Sequence, residues 1–431
     1  MNKIVAAALC SSLVALGAAQ ATAAVTDYAA STPSLRLNLR NDLRRSMKPA
    51  DAPNDDVYAW VQGAMLEFDS GWFNDVIAVE GGGFWVQKLD TSEGKFTRGY
   101  LNGDDESFGY LNAALKVRLG DYGLIKAGRF VTDLGYGAMP YRVPLITNNS
   151  NRTLPTSSQG VLAYLTPTDW LDVWAMWRNE VFTAKSSLYD GYRDEGVFDP
   201  VTMSYDAQKR SRSFIAFSFH DEDKWRLSVG GSYQRDVSNQ FEIDFSNHMQ
   251  LGDYRLRNNL CFFHADVNDD TWTMWQRAGI MSDDNFLISG SHELDLSWGG
   301  VFFTWEYIKH ATVSMVIDTD IGFRYPWTID RNLEDMWSVG VGANYRLGDF
   351  IFFVAPLYTN GYEDYSKEVS VEGFDFNAGV MYRVKSGPLK GLSSYLFGSR
   401  AFEDRPGSEY GDHLNYWDIK FCVQYKHDFL Q

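Results

Sequence analysis

The sequence predicts an all-β protein: one transmembrane antiparallel β-barrel of about eighteen strands, with a long third loop folded into its lumen. Three observations predict it. Segments of about ten residues alternate apolar with polar or charged side chains. Short turns alternate with long polar connections along the chain. Aromatic residues reach 15% although mean hydropathy is negative, and no segment beyond the leader approaches the roughly 18 apolar residues of a membrane helix.

The leader comes first. Lys3 is its only charge, an apolar run spans Ile4 to Ala19, and Ala21-Thr22-Ala23 offers a small-residue cleavage site. This is the layout of a secretory signal peptide over residues 1–23, leaving 24–431 as one exported domain. Without Lys3, 38 basic residues face 56 acidic ones, a net charge of −18. So acidic a balance argues against a nucleic-acid partner, which needs a basic face. Cys261 and Cys422 remain after cleavage. Two cysteines make no disulfide framework, and nothing beside them has zinc-ligand spacing, so two unpaired thiols, or at most one bridge, and no metal are expected. No cofactor is expected.

Strand side chains point alternately to opposite faces. Leu35, Leu37 and Leu39 alternate with Arg36, Asn38 and Arg40. Phe374, Phe376, Ala378, Val380 and Tyr382 alternate with Asp375, Asn377, Gly379, Met381 and Arg383. Trp417, Ile419, Phe421 and Val423 alternate with Asp418, Lys420, Cys422 and Gln424. The polar face carries whole charges, which a soluble core would not accept without partners.

Strand candidates lie near 35–43, 57–68, 76–88, 109–119, 124–130, 160–165, 170–181, 212–220, 225–236, 240–250, 254–265, 286–297, 301–310, 337–347, 350–359, 374–384, 392–402 and 416–425. Turns such as 120–123 and 298–300 alternate with long stretches such as 131–159 and 311–336. Only the connection near 237–239 is too short for its place. Short periplasmic turns opposite long outer loops is the outer-membrane plan, and the parity puts both termini on the periplasmic side. Trp72, Phe73, Tyr122, Trp170, Trp225, Tyr254, Trp298 and Phe350 cluster beside the short turns, as a periplasmic girdle would. Phe429 supplies an aromatic residue near the C-terminus.

Taken literally, the alternation sets Arg36, Arg40, Arg346, Arg383, Arg400 and Lys420 on one wall of the lumen. Such a stripe guides anionic groups, because low-dielectric walls focus the field; the plainer reading is that these charges pair across strands and keep the lumen wet. Glu293, Asp295 and Glu306 would form an acidic wall opposite. Acidic loop tips at Asp55-Asp56, Asp104-Asp105-Glu106, Asp283-Asp284, Glu334-Asp335 and Glu363-Asp364 read as solvated or as divalent-cation contacts with lipopolysaccharide. The 131–159 loop, stiffened by Pro140 and Pro144, is expected to fold inward as a constriction presenting Tyr141, Arg142, Asn148 and Arg152.

The composition leaves a passive pore for small hydrophilic solutes as the leading function. An outer-membrane hydrolase would need a nucleophile and base set together, but the seven histidines are scattered and no G-x-S-x-G occurs. An energy-coupled transporter would need a plug domain, and the first strand begins too soon to leave room for one.

The chain resembles the OprD-type porins, and within them the chitoporin-like branch. The resemblance rests on Leu37-Asn38-Leu39-Arg40-Asn41, Phe68-Asp69-Ser70-Gly71-Trp72, Ala114-Leu115-Lys116-Val117-Arg118, Asn151-Arg152-Thr153-Leu154-Pro155 and Gly387-Pro388-Leu389-Lys390-Gly391-Leu392. Met176-Trp177-Arg178-Asn179-Glu180 looks like the chitoporin branch in particular. It implies a monomeric outer-membrane barrel, inserted by the barrel assembly machinery, with the third loop as constriction and a basic ladder on one wall. Chitooligosaccharides are the solute slightly favoured at this stage, with carboxylates or amino acids as the alternative.

Overall fold

The computed structural model describes residues 28, 31–47, 57–91, 106–133, 138–147, 154–182, 192–194, 198–199, 204–205, 211–221, 224–268, 271, 284–310, 333–409 and 411–430. The leader, the acidic loop residues 55–56, 104–105 and 283, and Asn148 and Arg152 lie outside these.

Eighteen antiparallel strands form the barrel among the described residues. They are β1 (Ser34–Met47), β2 (Val57–Asp69), β3 (Ile77–Thr91), β4 (Glu106–Arg118), β5 (Gly123–Val131), β6 (Ser157–Thr168), β7 (Leu171–Phe182), β8 (Arg212–Asp221) and β9 (Trp225–Gln234). The second half holds β10 (Ser238–Leu251), β11 (Tyr254–Val267), β12 (Asp284–Leu296), β13 (Gly299–Ile308), β14 (Glu334–Leu347), β15 (Phe350–Tyr362), β16 (Ser370–Arg383), β17 (Leu392–Asp404) and β18 (His413–Asp428). Each of the eighteen segments read from the sequence corresponds to one of these. Three short strands at 192–194, 198–199 and 204–205 sit in the connection between β7 and β8.

Closure is made by β1, which pairs with β2 on one side and β18 on the other. No sheet edge is left for lipid to meet, which is what lets strands cross a membrane. Phe429 donates its backbone N–H to Leu35 at 2.9 Å, so the terminal aromatic residue is tied to the closing seam. The connection that looked too short is a three-residue hairpin at 235–237, in which Asp236 adopts a φ of +56°.

Burial follows parity. On β1, Ser34, Asn38, Asp42 and Ser46 are buried toward the lumen, while Leu39 is exposed on the outer face. The outward set continues with Leu66, Phe68, Val79, Phe241, Phe303, Val341, Phe352, Phe374 and Phe421, all exposed as a lipid-facing band would be. Phe73, Tyr122, Trp170, Trp225, Tyr254, Trp298 and Phe350 are exposed beside the short turns. Trp72 departs from that set. It packs against the interior cluster, with the Lys116 Nζ 5.8 Å from its ring centre, so it belongs to the periplasmic mouth and not to the girdle.

Candidate functional site

The lumen is divided by what the third loop covers. Within 138–147, Pro140 and Pro144 restrict the backbone, and a tight turn closes where the Thr147 N–H reaches the Val143 carbonyl at 3.0 Å. That turn aims Met139, Val143, Leu145 and Ile146 at the wall, where they are buried among Leu124, Phe130, Leu162, Trp174, Phe214, Ala216 and Phe263. The loop therefore lies against the inner faces of β5 to β11.

Polar anchors fix its position. Arg142 donates to Glu242 and, from Nε at 3.0 Å, to Asp244, both on β10. The Leu145 N–H donates to the second Glu242 oxygen at 2.8 Å, which holds Leu145 in a left-handed conformation at φ +61°. Cys261 adds its thiol at 3.8 Å from Glu242. The Glu242 side chain is wholly buried, so the guanidinium is its main counter-charge. Lower on the wall, Tyr141 donates to Asp172 and accepts from the Trp174 indole at 2.8 Å. The Arg226 guanidinium lies 3.4 Å above the Tyr141 ring centre and its NH1 reaches Asp172 at 3.5 Å. Burial and the adjoining Asp172 carboxylate push the Tyr141 phenol well above its usual range, so it remains a donor.

Gly230 makes the close approach possible. A Cβ there would stand 2.7 Å from the Pro144 Cβ. Gly230→Val is expected to lift the loop while leaving the strand ladder intact, because β9 still pairs with β8 and β10. Limited proteolysis of the folded barrel checks this: cleavage near residue 144 should rise sharply, and an unchanged pattern would mean that the loop is not seated on Gly230.

Opposite the loop, the inner faces of β1, β16 and β18 carry the cations. Arg36, Arg40 and Arg44 share the lumen parity of β1, Arg383 that of β16, and Lys420 and Lys426 that of β18. Arg36 is 57% exposed and meets Asp428 at 3.3 Å. Arg40 is paired with Asp42 at 2.8 Å, Arg44 with Asp418 at 2.6 Å, and Lys420 lies 3.7 Å from Asp418. Arg383 and Lys426 are exposed. Register brings the lower members together: Arg383 faces Ser393, Ser393 faces Gln424, Gln424 faces Arg40, and Lys426 faces Asn38.

One expected placement needs correction, and one expected wall proves to be offset by cations. Arg400 is on the outer face of β17, not on the pore wall. It is opposite Phe376 and Trp417, and its guanidinium lies 5.3 Å from the Phe402 ring centre. The β17 sequence has apolar residues at both parities, Leu396 and Phe402 on one and Phe397 and Ala401 on the other, so alternation gave no orientation. The acidic wall stands where it was expected. Glu293, Asp295 and Glu306 do face inward, but Arg257 bonds Glu293 at 2.9 Å and Asp295 at 2.8 Å, and Arg346 approaches Asp295 at 3.7 Å. This is a paired cluster, and Arg346 belongs to it more than to the basic wall.

Arg44 and Lys426 were missed for one reason: the strands were drawn too short. β1 runs to Met47 and β18 to Asp428, and each extension adds a cation of lumen parity. Arg142 was read as lining the constriction; its partners Glu242 and Asp244 lie about a hundred residues away, and no spacing rule links them.

The geometry is that of a large pore with an inward loop, and the sequence profile of the outer membrane porin family OprD matches residues 30–319. The chain belongs to the OprD family of outer membrane porins. It is 42% identical over 432 residues, the full length of both, to the membrane-associated protein UidC of Escherichia coli K12. Among solved structures, Pseudomonas aeruginosa OccK9 (OpdG) superposes with a TM-score of 0.72 at 15% identity, covering 92% of this chain and 98% of that one. Acinetobacter baumannii OccAB4 gives 0.72 at 14%, covering 94% and 100%. Pseudomonas aeruginosa OpdK with vanillate gives 0.67 at 17%, covering 92% and 99%. This OprD-family member is thus an outer-membrane porin for small-solute uptake, and the relatives do not favour the chitoporin branch.

Proposed function

We propose that this porin favours small hydrophilic anions, carboxylates foremost, over neutral solutes of equal size. The observation that carries it is the asymmetry of the lumen. The loop seals the wall of β5 to β11, and the cations exposed at the periplasmic end of the other wall are Arg36, Arg383 and Lys426. Charges on that wall act on a passing solute over about a Debye length, about 8 Å in physiological salt. Asn38 and Gln424, joined at 2.9 Å, add amide groups for the hydroxyls or ring substituents of the solute.

The oligosaccharide reading needs aromatic faces open to sugar rings. Phe353, Phe397 and Tyr416 on this wall are buried, which speaks for the carboxylate. The vanillate of the OpdK structure is a solute of this class. Swelling of proteoliposomes compares a carboxylate with its own uncharged amide. Faster entry of the carboxylate is expected, with the difference shrinking in high salt. Equal rates at low salt would leave a general diffusion pore, and faster chitooligosaccharide entry would restore the sugar reading.

A further inference from the structure

Ahead of β1, the described residues Tyr28 and Ser31 make contacts within the barrel. Tyr28 sits inside it, with its ring 5.3 Å from that of Tyr164 and 5.1 Å from that of Trp174, both in edge-on contact. These two rings belong to lumen-facing residues of β6 and β7 that are themselves wholly buried. The Lys126 Nζ lies 5.5 Å from the Tyr28 ring centre and 2.9 Å from Glu80, so the ring covers a buried ion pair.

Ser31 fixes the next step of the segment. Its hydroxyl donates to Asp69 at 2.5 Å and accepts from the Lys116 Nζ at 2.8 Å, while Lys116 itself bonds Asp69. Pro33 then crosses Gly71, where a Cβ would come 2.7 Å from the proline Cδ and where φ is +69°. Only glycine gives this crossing both its space and its backbone conformation.

Trp174 connects the segment to the constriction. The indole meets both Tyr28 and, at 5.9 Å, Tyr141, and its Nε1–H donates to the Tyr141 hydroxyl at 2.8 Å. We propose that Tyr28 is a positioning residue for the third loop: it wedges Trp174 in the rotamer that receives Tyr141, and so sets the width of the pore from the periplasmic side. Ser31 and Pro33 are the footing that keeps the wedge in place. The inference concerns the width of the passage and stands whether the preferred solute is a carboxylate or a sugar.

A packed interior transmits such a displacement because it has no slack to absorb it. Removing the Tyr28 ring leaves a gap beside Trp174, into which the indole can turn, and the Tyr141 hydrogen bond is lost with it. It also opens the Lys126–Glu80 pair to lumen water. The ring, not the hydroxyl, does the wedging, so phenylalanine should substitute.

Single-channel recording of the purified full-length barrel tests this with wild type, Tyr28→Phe and Tyr28→Ala. Heat-modifiable migration on gels first shows that each variant is a closed barrel. Tyr28→Ala is expected to raise conductance about twofold, as a wider constriction does, with added current noise. Tyr28→Phe should retain the wild-type value. A second variant, Gly71→Ala, should resemble Tyr28→Ala by unseating Pro33 from a distance. Wild-type conductance in Tyr28→Ala overturns the proposal, and so does a Tyr28→Phe channel as wide as Tyr28→Ala. A thiol at position 28 gives an independent check: Tyr28→Cys should resist a membrane-impermeant maleimide, whereas rapid labelling would show that the segment is not lodged inside.

Discussion

Arg142→Ala is expected to give a wider and noisier channel in a barrel that is still closed. The variant strands Glu242, whose side chain is wholly buried, beside Asp244 with no cation between them. Breaking a buried pair by removing one partner costs about 3–5 kcal/mol. The barrel ladder does not bear that cost, since β10 remains paired along its length with β9 and β11. The loop bears it. What still holds the loop is the burial of Val143, Leu145 and Ile146, at about 1.5–3 kcal/mol for each such side chain, and the Tyr141 contacts. The loss offsets more than one of those burial terms, so the undocked state becomes populated. Adding Glu242→Gln and Asp244→Asn to Arg142→Ala removes the stranded charges, and part of the docking should return. Channel recordings and protease sensitivity read both effects. Unaltered conductance in Arg142→Ala would show that the ion pair is incidental to loop position, and failure of the neutral triple variant to recover would show that the lost arginine contacts, not the stranded charge, matter most.

The barrel was legible because its rules are local. Parity alone places Leu35, Leu37 and Leu39 outward with Arg36, Asn38 and Arg40 inward, and a closed barrel repeats that statement eighteen times. The inward course of the third loop was legible from its length and prolines. Its docking was not. Arg142, Glu242 and Asp244 come together only when β10 is carried around the barrel to face residue 142, and Gly230 as the seat of Pro144 has no signature in sequence. The basic wall was half legible. Residues in the middle of a well-patterned strand were placed by parity; Arg44 and Lys426 fell outside strand ends drawn four and three residues short, and Arg400 was turned the wrong way by a strand apolar on both faces. The acidic wall was legible in position and not in its pairing. Parity reports which face a carboxylate occupies and is silent on whether an arginine such as Arg257 already holds it.

Reversing Arg383 and Lys426 together to glutamate should invert the charge preference of the pore. Both are exposed on the lumen side near the periplasmic end, where Arg36 is held to Asp428, so reversing them changes the charge that a passing solute meets on this wall. Arg40, Arg44 and Lys420 are offset by Asp42 and Asp418 and contribute less to a passing ion. Two unit charges about 4 Å apart interact by about 4 kcal/mol at an effective dielectric of 20, so a solute carboxylate need meet only a fraction of that for selection to follow. A change of about 1.4 kcal/mol between carboxylate and neutral amide is a tenfold change in relative entry. The expected result is a reversal potential that moves from the anion side to the cation side under a salt gradient, together with loss of the carboxylate advantage in swelling. Arg400→Glu is the matched control, since it alters charge on the outer face opposite Phe376 and Trp417 and leaves the lumen as it was. If Arg400→Glu shifts selectivity as much as the inner pair does, the effect is one of net charge and the wall has no guiding role. If the inner pair shifts nothing, the selecting charges lie in the outer loops, and the carboxylate reading loses the observation on which it stands.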